Sequence, residues 1–218
     1  MSNPTFERSA VVAGGTGLVG HALLRLLGED PRYTHVTSLV RREVPTIAGV
    51  SSQRVDFERL DDVSVPAIDD AFCCLGTTRR VAGSAAAFRH VDFDHVVAFA
   101  RLAKRAGAQR FLLVSSIGAN AGSLLLYSRT KGESEAAISA IGFSSVVILR
   151  PSFLVGARTQ ERPGEAFATR MFQLVGPLLV GPLRKYAPVD ASTVARTLVQ
   201  SAAGPPPGVT IIESDAIR

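Results

Sequence analysis

The stretch Ser9-Ala-Val-Val-Ala-Gly14-Gly-Thr-Gly-Leu-Val-Gly20 holds the glycine pattern that decides the fold prediction. It joins a short apolar run, which predicts a strand, to residues 18–27, where apolar side chains recur at helical spacing. Glycines allow the tight turn and let a diphosphate approach free backbone amides at the positive end of the helix. In this setting the pattern predicts dinucleotide binding; the alternative is a glycine-rich turn without a ligand. The residues predicted to line the site are Gly14, Gly15, Thr16, Gly17, Leu18, Val19 and Gly20.

Strand-like and helix-like segments alternate along most of the chain, which predicts an α/β fold with a doubly wound parallel sheet of the Rossmann type. The predicted strands are 10–13, 36–40, 55–57, 70–75, 110–114, 145–149 and 209–212, and the predicted helices are 18–27, 84–106, 125–140, 165–175 and 191–203. We expect a single domain over residues 1–218. Its dinucleotide-binding core covers about residues 9–150, and a small carboxyl-terminal cap on the substrate side covers about 151–218, where glycine and proline interrupt the pattern.

Composition and the cysteine positions limit which partners and which cellular compartment we expect. The net charge of +5 arises from scattered basic residues, and the chain has no Trp, so we expect no nucleic-acid partner. No apolar run reaches the length of a membrane span, and the first residues lack the order of a signal peptide, so we expect neither a membrane segment nor processing. Cys73 and Cys74 are adjacent and cannot join distant segments, which favours a reducing, cytoplasmic location.

Two arginines follow the second predicted strand. An acid commonly stands near this position and binds the adenosine ribose, but here the strand is followed by Arg41 and Arg42. Each guanidinium can present a bidentate fork to a 2′-phosphate, so the pair predicts NADP(H) in preference to NAD(H). The alternative is a pair of solvated arginines, with Glu43 turned inward to the ribose.

Tyr127 and Lys131 are four residues apart on a predicted helix and therefore share one face. A nearby ammonium favours the ionised form of a phenol, which suits a group that exchanges a proton with substrate. The same lysine can reach the nicotinamide ribose hydroxyls, so Lys131 is also predicted to bind the coenzyme. Ser115 and Ser116 end the predicted strand 110–114 and offer a hydroxyl to orient a carbonyl group. These residues together predict a catalytic set, although a tyrosine and a lysine at this spacing also occur by chance.

The histidines give no indication of a metal site. His90 and His95 are five residues apart on a predicted regular helix and should point in different directions, so no metal ligands are predicted.

These motifs resemble the short-chain dehydrogenases/reductases, and within them the atypical branch of Tat-interacting-protein-like, NADP-binding proteins. The resemblance runs over nearly the whole chain. Besides the glycine loop, it rests on Cys74-Leu-Gly-Thr-Thr-Arg79, Val114-Ser-Ser116, Leu126-Tyr-Ser-Arg-Thr-Lys-Gly-Glu133, Leu149-Arg-Pro151 and Glu161-Arg-Pro-Gly-Glu165.

The resemblance implies roles for further residues. Leu75, Gly76 and Thr77 would pass beside the adenosine and ribose, and Asp56 would contact the adenine amino group. The loop over Pro151, Phe153 and Leu154 would pass the nicotinamide carboxamide, and Ser116, with Ser115 as the alternative, would join Tyr127 and Lys131 in catalysis. The chain is much shorter than the sugar-nucleotide epimerases, so the likeness does not extend to a bulky nucleotide-sugar substrate.

The predicted function is hydride transfer between NADP(H) and a small carbonyl or alcohol substrate. Two alternatives stay open: a regulatory or assembly protein that binds the coenzyme without turnover, and an epimerase or isomerase that retains it. The helices from residue 84 and around Tyr127 lie where the family often dimerises, which makes a homodimer a further expectation.

Overall fold

The computed structural model describes residues 7–156 and 185–217. The strands are β1 (Arg8–Ala13), β2 (Tyr33–Val40), β3 (Ser51–Arg54), β4 (Asp70–Cys73), β5 (Arg110–Val114), β6 (Ser145–Arg150), β7 (Leu154–Val155), β8 (Val189–Asp190) and β9 (Gly208–Glu213). The helices are α1 (Leu18–Glu29), α2 (Arg79–Ala82), α3 (Ala85–Arg89), α4 (His95–Arg105), α5 (Leu126–Ser139) and α6 (Ala191–Ala203), with a π-helix at His90–Asp94 and 3-10 helices at Phe57–Asp62 and Ser214–Ala216. The predicted helix 165–175 and the motif 161–165 lie outside the described residues.

Seven parallel strands form the main sheet in the order β3-β2-β1-β4-β5-β6-β9. The chain builds outward from β1 in one direction, then returns to place β4 on the other side of β1. Ligands of open α/β sheets bind at the carboxyl edge beside such a reversal. The prediction of a doubly wound parallel sheet of the Rossmann type is therefore confirmed.

Apolar side chains cover both faces of the central strands, as expected for a parallel sheet packed between two helical layers. In β1, Val11 and Ala13 join the core beneath α4 and α5, whereas Ala10 and Val12 join the core beneath α1 and α6. The strands are parallel, so their carboxyl ends meet at one edge of the sheet, where the predicted site residues are found.

The third strand lies earlier than predicted. It covers Ser51–Arg54, a polar segment that is mostly exposed at the edge of the sheet, rather than residues 55–57. Edge strands carry polar side chains, so hydrophobic alternation could not locate this one. Asp56 caps the 3-10 helix instead, with its carboxylate accepting a hydrogen bond of 3.0 Å from the backbone N–H of Glu58.

The predicted helix over 84–106 is present, but a π-helix interrupts it between α3 and α4. The backbone N–H of His95 donates to the carbonyl of His90, five residues earlier. Residues five apart on an α-helix differ in direction by about 140°, whereas a π-turn stacks them. The two imidazole centroids lie 4.5 Å apart, so the prediction that these histidines point in different directions is wrong.

The carboxyl-terminal segment completes the main domain. Asp190 caps α6 by accepting from the backbone N–H of Ser192 at 2.8 Å, as the sequence predicts. Helix α6 packs on α1, and β9 pairs with β6 as the seventh strand. Part of the segment predicted as the substrate-side cap, residues 157–184, falls outside the described residues. Among the residues described, no helix is both long and apolar enough to cross a membrane.

Candidate functional site

The glycine loop lies between the end of β1 and the start of α1. Gly14 has a φ of +85°, and a Cβ there would lie 2.4 Å from the carbonyl carbon of Cys74 after β4. A Cβ on Gly20 would lie 2.2 Å from the carbonyl oxygen of Gly14. These two glycines are therefore required by the packing of the protein itself.

Gly17 differs from its neighbours because its missing side chain leaves open space on the outer side of the loop. It is exposed, and the nearest atom to an added Cβ would be the Gly14 carbonyl oxygen at 3.3 Å. It immediately precedes α1, whose first backbone N–H groups have no partner within the helix. An anion at this position meets unpaired donors and the positive end of the helix.

Replacing Gly17 with alanine should therefore weaken coenzyme binding while sparing the fold. The added methyl group needs only a few tenths of an ångström of adjustment within the protein, but it occupies the space through which a diphosphate approaches. We expect an increase of about tenfold or more in the coenzyme Kd, since each lost charge-assisted hydrogen bond costs roughly 1.5–3 kcal/mol. Isothermal titration calorimetry measures the effect.

Gly14→Ala is the contrasting variant. Its Cβ would clash with backbone atoms at a position of positive φ, so this substitution should lower the thermal midpoint of unfolding. Equal losses of thermal stability in the two variants, or an unchanged coenzyme Kd in Gly17→Ala, would contradict this assignment.

The other predicted coenzyme residues also lie along the carboxyl edge of the sheet. Arg41 and Arg42 follow β2 and are exposed, and within the described part of the chain neither guanidinium is ion-paired. Asp56 follows β3 and is exposed. Leu75–Thr77 follows β4, with the exposed Gly76 at its centre. These three strands and β1 are neighbours in the sheet, so they direct the residues and the glycine loop to one edge.

Lys131 is held by a residue that no motif in the sequence marks. Its ammonium Nζ lies 2.7 Å from the Oδ1 atom of Asp92 in the π-helix, and both side chains are almost completely buried. The other oxygen of Asp92 accepts a hydrogen bond of 2.8 Å from the backbone N–H of Thr77. Asp92 therefore joins the lysine to the predicted adenosine loop.

The charge on Lys131 reflects two opposing effects. Burial alone would lower the pKa of Lys131, but the Asp92 carboxylate and the phenol of Tyr127 raise that pKa above its usual value of 10.5. Lys131 is therefore a cation at neutral pH.

Tyr127 stands at the surface one helical turn before Lys131. The side chain is 42% exposed, and its ring stacks on that of Phe88 with a centroid separation of 5.5 Å. The two rings face a recess of about 330 Å³. The recess is lined by Arg79, Phe88, Leu125, Leu126, Tyr127 and Ser128. The phenol is thus accessible to a small molecule.

The structure distinguishes the two serines after β5. The hydroxyl of Ser115 is buried and donates to Glu135, which accepts two further hydrogen bonds from Arg150, at 2.6 and 3.1 Å. Arg150 also donates to Glu213 in β9 at 2.9 Å. Ser115 is thus committed to a structural network that ties α5 to β6 and β9. Ser116 is only partly buried, and its hydroxyl donates a weak hydrogen bond of 3.5 Å to the neighbouring carbonyl of Ile117.

The loop after β6 also lies at this edge. The carbonyl of Pro151 accepts a hydrogen bond of 2.9 Å from the backbone N–H of Ile117, which fixes the loop beside Ser116. Phe153 is 63% exposed, and Leu154 begins the short pair β7–β8. The loop predicted to pass the nicotinamide therefore contacts the segment that directly follows Ser116.

The cysteines have no catalytic character. Cys73 is buried in β4, and burial raises the pKa of its thiol to about 12. Burial also raises the pKa of Cys74. Neither side chain is therefore a thiolate at neutral pH.

Comparison with known proteins identifies the family. A family model described as "NAD(P)H-binding" matches residues 14–205, which include the glycine loop, the Tyr127 helix and α6. The chain belongs to this family. Among its relatives, Protein HTATIP2 of Rattus norvegicus is 38% identical over 220 residues, covering 97% of this chain and 88% of the rat protein. Protein FMP52, mitochondrial, of Candida albicans is 36% identical over 204 residues, covering 89% of this chain and 87% of the yeast protein.

Solved structures agree on the fold of this NAD(P)H-binding protein. MoeE5 in complex with UDP-glucose and NAD superposes with a TM-score of 0.68 at 21% identity, covering 94% of this chain and 76% of MoeE5. A UDP-N-acetylglucosamine 4-epimerase from Methanobrevibacter ruminantium gives a TM-score of 0.70 at 15% identity, covering 95% of this chain and 76% of the epimerase. At these identities the likeness shows the Rossmann-type fold alone.

The relatives correct one prediction from composition. FMP52 proteins of Candida albicans, Debaryomyces hansenii and Coccidioides immitis are all named mitochondrial, so the prediction of a cytoplasmic location is wrong. Unpaired cysteines indicate a reducing environment, but a reducing environment does not identify one compartment.

Proposed function

We propose that this NAD(P)H-binding protein is an NADP(H)-dependent oxidoreductase that acts on a small carbonyl or alcohol substrate. The observation that carries the proposal is the buried Asp92–Lys131 ion pair, which places a permanent cation on the same helix face as the accessible phenol of Tyr127. The pair lies beside the loop after β4, at the edge where coenzymes bind in this fold.

The residues present fit the coenzyme. The open space at Gly17 and the amides of α1 would hold the diphosphate, and the exposed Gly76 permits close approach of a ribose. The exposed guanidinium groups of Arg41 and Arg42 would bind a 2′-phosphate. When bound, NADPH supplies a hydride for the carbon of a carbonyl group.

The protein side chains have three proposed tasks. Tyr127 donates its hydroxyl proton to the carbonyl oxygen in the reducing direction. Lys131 stabilises the phenolate that remains, because its ammonium is held in place by Asp92. Ser116 orients the carbonyl by donating a hydrogen bond, since Ser115 is occupied by Glu135. In oxidation the same proton moves in the opposite direction.

The surroundings of Tyr127 favour an apolar substrate. Phe88, Leu125 and Leu126 line the recess beside the phenol, and Arg79 is the one cation among the described residues that line it. We therefore propose a small carbonyl compound with an apolar substituent.

A substrate screen tests the proposal. Purified protein is mixed with NADPH and a panel of aliphatic and aromatic aldehydes and ketones, and the loss of absorbance of reduced nicotinamide is followed. Turnover above that of a Tyr127→Phe control supports the proposal. Tight NADPH binding with no turnover across the panel would contradict it and favour a non-catalytic, coenzyme-binding role.

Coenzyme preference depends in this proposal on the arginines after β2. The double variant Arg41→Ala/Arg42→Ala should weaken NADPH binding by about tenfold or more, the loss expected for removing a charge-assisted pair. NADH binding should change little, because NADH has no 2′-phosphate. Fluorescence titration of both coenzymes measures the difference.

Arg25→Ala is the matched control, because Arg25 is an exposed arginine on α1. It should leave both affinities unchanged. If wild type prefers NADH, or if the double variant weakens both coenzymes equally, the assignment of NADP(H) is wrong.

A further inference from the structure

A second cluster of polar side chains lies on the 3-10 helix after β3, on the π-helix and at the start of α4. Glu58, His90 and His95 each place one potential ligand atom within 4.8 Å of the others. The Nε2 atom of His90 is 2.8 Å from Glu58 Oε2, and the Nε2 atom of His95 is 3.1 Å from Glu58 Oε1. None of the roles proposed for the coenzyme site uses these three side chains.

The spacing suits a metal ion. Nitrogen and oxygen ligands bind zinc at about 2.0–2.2 Å in a tetrahedron, which separates neighbouring ligand atoms by about 3.4 Å. The two separations from Glu58 to the imidazoles, 2.8 and 3.1 Å, are close to that value. Small rotations of the side chains would therefore admit an ion without moving the backbone.

The second nitrogen of His90 already has the partner that a metal ligand needs. Its Nδ1 atom lies 3.0 Å from the Oδ2 atom of Asp94, four residues later. Histidines that bind metals through one nitrogen usually donate a hydrogen bond from the other to a carboxylate or carbonyl, which fixes the ring. Asp94 would thus orient His90 with Nε2 directed to the cluster.

The fold holds the histidines in place. The π-turn hydrogen bond from His95 to His90 brings the rings together, and π-helices are enriched at functional sites. His95 is 8% exposed, and its ring packs on Phe57, with centroids 5.8 Å apart. Glu58 comes from the separate 3-10 helix, and its side chain is exposed and can adjust at the surface.

We propose that Glu58, His90 and His95 bind a divalent transition-metal ion of the zinc type, with Asp94 as the hydrogen-bonding partner of His90. Two imidazoles favour zinc over magnesium or calcium, which prefer oxygen ligands. Water fills the fourth position. The ion connects the segment after β3 to the helix that carries Asp92, and so stabilises the frame of the coenzyme site.

Metal binding is tested on tag-free protein stripped with EDTA. Calorimetric titration with ZnCl₂ is expected to show one site per chain, and CoCl₂ is expected to produce the visible absorption of a tetrahedral or five-coordinate ion. At zinc concentrations 100 times the Kd, the thermal midpoint should rise by about 5–10 °C.

Variants identify the ligands. His90→Gln and Glu58→Gln change partly exposed side chains, so the fold should persist while zinc affinity falls by about 100-fold or more. Asp94→Asn should lower the zinc affinity by about tenfold, because it removes the hydrogen-bond partner that orients a metal ligand. His35→Gln, at an exposed histidine on β2, is the matched control and should bind zinc like wild type.

The proposal is overturned if wild type binds no zinc, which would leave a hydrogen-bonded cluster only. It is equally overturned if His90→Gln and Glu58→Gln bind zinc as tightly as His35→Gln does. Because the readouts are heat, colour and thermal midpoint, they are independent of any oxidoreductase activity.

Discussion

Tyr127→Phe is expected to reduce turnover by about 10²-fold or more, the range for loss of a general acid. The substitution removes only the hydroxyl. The ring keeps its stacking on Phe88, and Lys131 keeps its ion pair with Asp92, so the fold and the coenzyme affinity should be unchanged. The measurements are kcat with the best substrate of the carbonyl screen and the Kd of NADPH by calorimetry.

Tyr186→Phe is a suitable control because it removes another exposed phenol from the described chain. Its turnover should match wild type. Should Tyr127→Phe retain full turnover, the phenol is not the proton donor. Should it lose coenzyme affinity in parallel with turnover, its effect would be structural.

The largest effect on stability is expected from Asp92→Asn. The amide can still accept the hydrogen bond from Thr77, but it leaves the buried ammonium of Lys131 without a counter-charge. Breaking a buried ion pair by removing one partner costs about 3–5 kcal/mol of unfolding free energy. Denaturant titration followed by circular dichroism measures the loss at neutral pH.

The same substitution should alter how both stability and turnover depend on pH. The pKa of Lys131 is raised in the folded protein, so its stabilising contribution is complete below its usual value of 10.5 and is lost as pH rises through the higher folded value. Without the Asp92 carboxylate, the lowering effect of burial meets less opposition, so the pKa of Lys131 should fall. Turnover in the variant should therefore begin to fall at a lower alkaline pH than it does in wild type.

Asp62→Asn is the matched control, since Asp62 pairs with Arg59 in an exposed salt bridge worth at most about 1 kcal/mol. If Asp92→Asn is no less stable than Asp62→Asn, the buried pair does not stabilise the fold in the way expected.

The sequence was informative where local rules determine the structure. The glycine loop, the apolar strands and the Asp190 cap each depend on residues within a few positions of one another, and β1, β5 and α6 lie where those rules place them. The edge strand β3 was misplaced because its residues pack on one neighbour only and carry no hydrophobic alternation.

The site was less predictable because it depends on a departure from regular helix geometry. No residue type marks the π-turn, yet that turn brings His90 and His95 together. Asp92, in the same turn, is buried against a lysine 39 positions later, a contact that helical periodicity cannot indicate. Similarly, the hydrogen bond to Glu135 distinguishes the role of Ser115 from that of Ser116, and the sequence does not reveal this contact.

The packing of α1 on α6 has a consequence for how the molecule is made. Arg8, which begins β1, donates to the carbonyl of Ala202, 194 positions later, and Leu23 and Leu27 share a core with Leu198. A chain emerging from the ribosome cannot finish this layer until Ala202 has been synthesised. Contacts between distant positions form slowly. The glycine loop between β1 and α1 should therefore be among the last parts of the domain to reach its folded structure.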